Sequence, residues 1–181
     1  MGKGLVERLR QEFDLQVEWL GIEIHPDTPA GGMPIAEMFP TADTKAMMKH
    51  LRAMGAPFGI IFADITRISN SRLALQAAEF SRDRGRFDVF HDAVLQAYFG
   101  AGLDIGDLEV ILELGREAGL DAAELRQALE AGTYLPRLRE MQEEASAAGV
   151  TGVPTFILGG RRTIVGAQSL DVFRNTLRSL R

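Results

Sequence analysis

The stretch AAGVTGVPTFILGGRRTIVGAQSL, residues 147–170, changes character three times. It leaves a helical pattern at Ala147–Gly149, passes through Val153-Pro154, and then reads as strand, tight turn and strand in TFIL, GGRR and TIV. Short apolar runs on either side of paired glycines predict a two-stranded hairpin, because glycine supplies the backbone angles such a turn demands. Ser169 then offers a cap to a last helix, with Leu170, Phe173, Leu177 and Leu180 on one stripe.

Upstream of the hairpin, residues 41–149 read as helical almost throughout. Thr41, Asp43 and Thr44 offer caps for a helix reaching Met54. Asn70 or Ser71 can cap the next, which carries Leu73, Ala77 and Phe80 on one face and ends at Gly85. Phe87, Phe90, Val94 and Tyr98 mark another, and Asp107–Gly119 follows with Leu108, Ile111 and Leu112 inward. Asp121 and Glu124 have the spacing of a capping box, and Leu135, Leu138, Met141 and Ala145 line the last helix of the block.

At the other end, Leu5, Val6, Leu9 and Phe13 predict an amphipathic helix over residues 4–14. LQVEWLGIEI, residues 15–24, alternates apolar and polar, with its phase flipped near Gly21, and predicts one bulged strand. HPDTPAGGMP begins a long connection. The order helix, strand, helical block, hairpin, helix gives an α/β class with a helical insertion. The first strand is apolar on both parities, as a central or parallel strand is. No neighbour for it precedes residue 4, and a lone hairpin is marginal in water. One strand of the sheet is expected to be absent.

Composition narrows the function classes. The 181 residues are 46% hydrophobic and 25% charged, with net charge −5. No one-sided basic surface suggests nucleic acid, and no apolar run nears the ~18 residues a membrane span needs. The first residues show no signal-peptide core, so a cytoplasmic protein is expected. With no cysteine, the chain offers no disulfide, no thiolate and no Cys-ligated metal. His25, His50 and His91 lie far apart, without metal-ligand spacing. No cofactor and no metal site is indicated.

From GKGLVERLRQEF to the C-terminus the chain resembles the DsbA family of thioredoxin-fold oxidoreductases, in its FrnE-like branch. Kappa-class glutathione transferases and hydroxychromene-carboxylate isomerases are related to that branch. GKGLVERL, VEWLGIEIHPDTP, NSRLALQAAEFSRDRGRFDVFHDAVLQAYFGAGLDIGD and GVTGVPTFILGGRRTIVGAQ carry the resemblance. It implies a thioredoxin-like domain over residues 1–40 and 150–181, interrupted by an all-helical insertion over 41–149. The family opens with a β-strand and Cys-x-x-Cys before a stretch that Gly2-Lys3 matches. Both the first strand and the redox pair are therefore expected to be missing, through a start placed downstream, a trimmed chain or a truncated non-redox descendant.

The resemblance also implies that the Val153–Pro154 bond is cis, leaving the Val153 N–H and C=O to take an extended substrate strand. The alternative is a strand-start proline with a structural role only. Thr151 and Gly152 precede that turn, Gly152 as a place for close backbone approach or as ordinary loop. Asn70 is either a helix cap or, by the glutathione-using relatives, a ligand contact. His25 beside Asp27 has the form of a general base, against a turn residue held by its neighbours. Met33, Met38, Met47, Met48 and Met54 suit an adaptable groove or simple core filling. The functions implied are thiol–disulfide exchange on peptide or protein thiols by the family, silent in this chain; a glutathione-dependent isomerase or transferase; and a peptide-binding module without chemistry. A gap in the sheet further suggests a docking segment from a neighbouring chain or a symmetric homodimer.

Overall fold

A computed structural model describes residues 1–180. Helix α1 covers Gly2–Arg10 and is followed by an extended segment and a turn-rich connection. Strand β1 (Met33–Pro34), helix α2 (Ile35–Met38) and helix α3 (Thr44–Gly55) come next. Strand β2 (Arg67–Ile68) pairs antiparallel with β1, Met33 opposite Ile68. Helices α4 (Arg72–Asp83), α5 (Phe87–Leu95), α6 (Leu108–Glu117), α7 (Ala122–Glu130) and α8 (Leu135–Ala147) follow, with a π-helical turn over Gln96–Gly100. The hairpin is β3 (Thr155–Leu158) with β4 (Arg162–Val165), and α9 covers Leu170–Ser179.

The chain divides into two compact units, residues 21–143 and residues 1–20 with 144–181. The sequence places its divisions at 40/41 and 149/150; the compact units divide earlier at both.

The 21–143 unit is built on a helical core. Phe80, Phe90, Ile111, Leu112 and Leu125 are fully buried at its centre. Three of its helices, α3, α6 and α7, start where the sequence puts a carboxylate. Asp43 accepts the N–H of Ala46, Asp107 that of Glu109, and Asp121 those of Ala123 and Glu124, each satisfying donors a helix start leaves orphaned. Along α4, the buried Glu79 is held by Arg82 at 3.1 Å and Arg137 at 3.3 Å, and Arg137 also pairs with Asp83 at 2.8 Å.

The helical reading of 41–149 is interrupted. Gly59, at φ +68°, closes the helical run after α3, and the following apolar residues run without helix to β2. Ala63 N–H donates to Phe99 C=O at 2.8 Å, and Phe62 packs edge-on to Phe99. Tertiary partners hold this segment extended where its β-branched residues gain little from a helix. Of the early methionines, Met48 is buried and Met33, Met38, Met47 and Met54 are half-buried.

In the 1–20 and 144–181 unit, α1 buries Leu5, Val6 and Leu9, α9 buries Phe173, and the two helices pack together. Phe173 stands edge-on to Phe156 of β3, ring centroids 4.7 Å apart. Arg174 of α9 clasps the Glu12 carboxylate with both Nε and Nη2. Ser169 occupies the N-cap position of α9, but its hydroxyl makes no cap bond.

The strand expected over 15–24 joins no sheet among the described residues. Its first half keeps a strand's alternation, with Leu15, Val17 and Trp19 half-buried between exposed Gln16 and Glu18. A strand is completed by a ladder partner, and none of the described residues pairs with this segment. Among the described residues the one sheet in this unit is the β3–β4 hairpin.

Candidate functional site at the outer edge of the hairpin

The loop before β3 is fixed from both ends. Gly149, at φ +72°, ends α8, and Val150 N–H returns to Ala145 C=O at 2.9 Å. Thr155 Oγ donates to Gly152 C=O at 2.7 Å and pulls the loop back on itself. Thr151 is exposed, and a Cβ at Gly152 would meet nothing within 4 Å, so the chain beside it lies open. Val153 is 62% exposed, and the Val153–Pro154 bond is cis.

Hydrogen-bond parity shows which way the edge faces. Gly166 N–H donates to Pro154 C=O at 2.8 Å, and Phe156 lies opposite Ile164 and Leu158 opposite Arg162. In an antiparallel pair, backbone groups alternate between the partner and the other side. Residues 154, 156 and 158 therefore face β4, and Thr155 and Ile157 turn their N–H and C=O outward. No strand covers that outer edge among the described residues, and Val153 makes no backbone hydrogen bond there. Val153, Ile157 and Val165 add exposed apolar side chains beside it.

The start of α1 closes one end of the site. A Cβ at Gly2 would stand 3.1 Å from Pro154 Cβ and 3.6 Å from Phe156 Cζ, so the helix begins directly against the proline. The first turn carries no acidic side chain, and burial pushes the Met1 amino group below its ordinary value. No thiol stands here, since the chain has none. Among the described residues no cluster of His, Asp or Glu could hold a metal, and no helix is long and apolar enough to cross a membrane.

Val153, Pro154, Thr151 and Gly152 thus share one loop. Asn70 lies in the other unit, where its amide is committed twice. Its Nδ2 donates to Thr28 C=O at 2.7 Å, and its Oδ1 accepts the Arg72 N–H at 3.0 Å. That is a helix-start cap tied to a neighbouring loop. His25 is a turn residue: its C=O accepts from the N–H and Oγ of Thr28, and its ring meets Phe39 edge-on. Sequence reasoning missed Gly2, Thr155 and Ile157. The hairpin pattern held a signal for the last two, since the position of Pro154 fixes which strand residues face outward.

The arrangement has relatives. Residues 1–178 match the family model of the DSBA-like thioredoxin domain. The chain is 30% identical over 183 residues to the uncharacterized protein YwbO of Bacillus subtilis, covering 98% of this chain and 88% of that one. It superposes with TM-score 0.87 on the crystal structure of the probable DsbA oxidoreductase SCO1869 from Streptomyces coelicolor, at 26% identity, covering 98% of this chain and 82% of that one. A 2-hydroxychromene-2-carboxylate isomerase shares the fold, with TM-score 0.73, 18% identity and coverage of 98% and 87%. Thioredoxin-like α/β architecture with a helical block, a proline loop against the start of α1 and a match across nearly the whole chain lead to one assignment: this protein belongs to the DsbA-like thioredoxin-domain family.

Proposed function

We propose that this chain is a peptide-holding member of its family, gripping an extended segment without exchanging sulfur. The observation that supports it is the outward edge of Thr155 and Ile157, continued by the exposed Val153. Backbone N–H and C=O groups in a row give affinity for an extended chain, and the apolar side chains beside them favour apolar residues in it. Disulfide exchange needs a thiolate attacking sulfur, and no side chain of this protein supplies one.

Fluorescence anisotropy with a labelled, alternately apolar peptide tests the reading. Ile157→Pro removes an outward N–H and leaves the β4-facing groups in place, whereas Ile157→Thr keeps the N–H. Binding is expected to be lost in the first variant and retained in the second. Insulin reduction is expected to stay at the no-protein rate. Turnover above that rate, or equal affinity in both variants, overturns the proposal.

A further inference from the structure

Within the 21–143 unit, a cleft of about 330 Å³ opens between the end of the extended segment, α4 and α8. Leu75, Leu135 and Leu138 make its apolar floor. One wall is a closed polar set. Arg72 holds the Glu23 carboxylate through Nε and Nη2 at 3.1–3.3 Å and reaches Pro26 C=O at 3.3 Å. Glu23 N–H donates to Gln142 Oε1 at 3.0 Å.

Acceptors on that wall are therefore engaged, while two donors are not. The Gln142 amide has its oxygen committed, and its NH₂ has no acceptor among the described residues. Arg139 also lines the cleft, is exposed, and has no ion pair or hydrogen bond among the described residues, Glu143 one turn further on included. Arg139 and Gln142 stand three apart on α8, so they share a side of the helix. What remains unmatched is donor-only and cationic, above a leucine floor. Its complement is an anionic acceptor on an apolar body.

We propose that this cleft binds a small amphipathic carboxylate, its tail on the leucines and its oxygens between the Arg139 guanidinium and the Gln142 amide. A volume of about 330 Å³ equals roughly eleven waters of liquid, room for a body of about ten non-hydrogen atoms. The planar guanidinium favours a carboxylate in a two-point contact. The proposal concerns a site independent of the hairpin edge and survives or fails apart from it.

Octanoate is the probe, with octanamide to remove the charge and acetate to remove the tail, read by chemical-shift titration on the full chain. Octanoate is expected to bind saturably with a Kd below about 10 mM, as a ten-atom ligand at about 0.3 kcal/mol per atom does. The two controls are expected to bind at least about tenfold more weakly. Arg139→Gln is expected to weaken octanoate about tenfold, and the unliganded melting temperature stays that of the parent because Arg139 is exposed and has no partner among the described residues. Leu135→Gln is expected to weaken octanoate by a similar factor through the tail. The absence of saturable shifts around the cleft, equal binding of octanamide, or undiminished binding by Arg139→Gln overturns it.

Discussion

Replacing Asn70 by alanine tests whether this residue serves the fold or a ligand. Two contacts vanish together. The Arg72 N–H loses the Oδ1 that caps the start of α4, and the carbonyl of buried Thr28 loses Nδ2 at 2.7 Å. Loss of a cap costs about 1 kcal/mol, and a buried carbonyl deprived of its donor costs a further ~1–2 kcal/mol. The sum is about 2–3 kcal/mol. With a urea slope of ~2 kcal/mol/M the midpoint falls by about 1–1.5 M. Far-UV circular dichroism is the assay, since the 21–143 unit supplies most of the helix. Asn70→Asp keeps the acceptor and loses the donor, so it is expected to forfeit the Thr28 share and retain the cap. A midpoint for Asn70→Ala within about 0.3 M of the parent, with ligand affinity falling, refutes the capping account and restores the ligand contact implied by the glutathione-using relatives.

Three further outcomes are expected. Phe173→Ala removes a fully buried ring set edge-on to Phe156 and is expected to destabilise its unit by about 3–5 kcal/mol, followed through the fluorescence of Trp19 in the same unit. Gln76→Met is expected to raise stability by about 1 kcal/mol in urea titration, because Gln76 Oε1 is buried without a protein donor among the described residues and a burdened polar atom gives way to a similar-sized apolar chain; a lower midpoint refutes this. The Arg137 hydrogen bond, aided by Tyr134 and opposed by partial burial, holds the Asp83 carboxyl below the usual carboxylate range. Its stabilisation is complete above about pH 4 and lost as pH falls through the lower folded value. Stability of the parent is therefore expected to drop more between pH 5 and pH 3 (values of about the carboxylate range) than that of Arg137→Met, and parallel curves count against the link.

How far the sequence showed these features depends on how local their causes are. The hairpin at 155–165 was legible because its turn is written in place: Gly159 and Gly160 take φ +56° and +64°. Asp43 and Asp121 were legible as caps for the same reason, each bonding within three residues. Residues 15–24 carried a strand's alternation, but a strand also needs a ladder partner, which no local pattern states. The pairing of Met33 with Ile68 was hidden likewise. At the site, Pro154 was conspicuous through the family resemblance, whereas Gly2 matters only because the fold brings it against Pro154 from the far end of the chain. No periodicity encodes that contact.

The division of the chain bears on its birth at the ribosome. Residues 21–143 form a contiguous unit, complete once their own sequence has emerged. Its companion is assembled from segments on either side of that unit, so the apolar stripe of Leu5, Val6 and Leu9 has no α9 to pack on until Leu170–Ser179 has been made. The apolar side of α1 stays open to water for as long as the whole intervening unit is being made, the interval in which such a stripe is prone to wrong contacts.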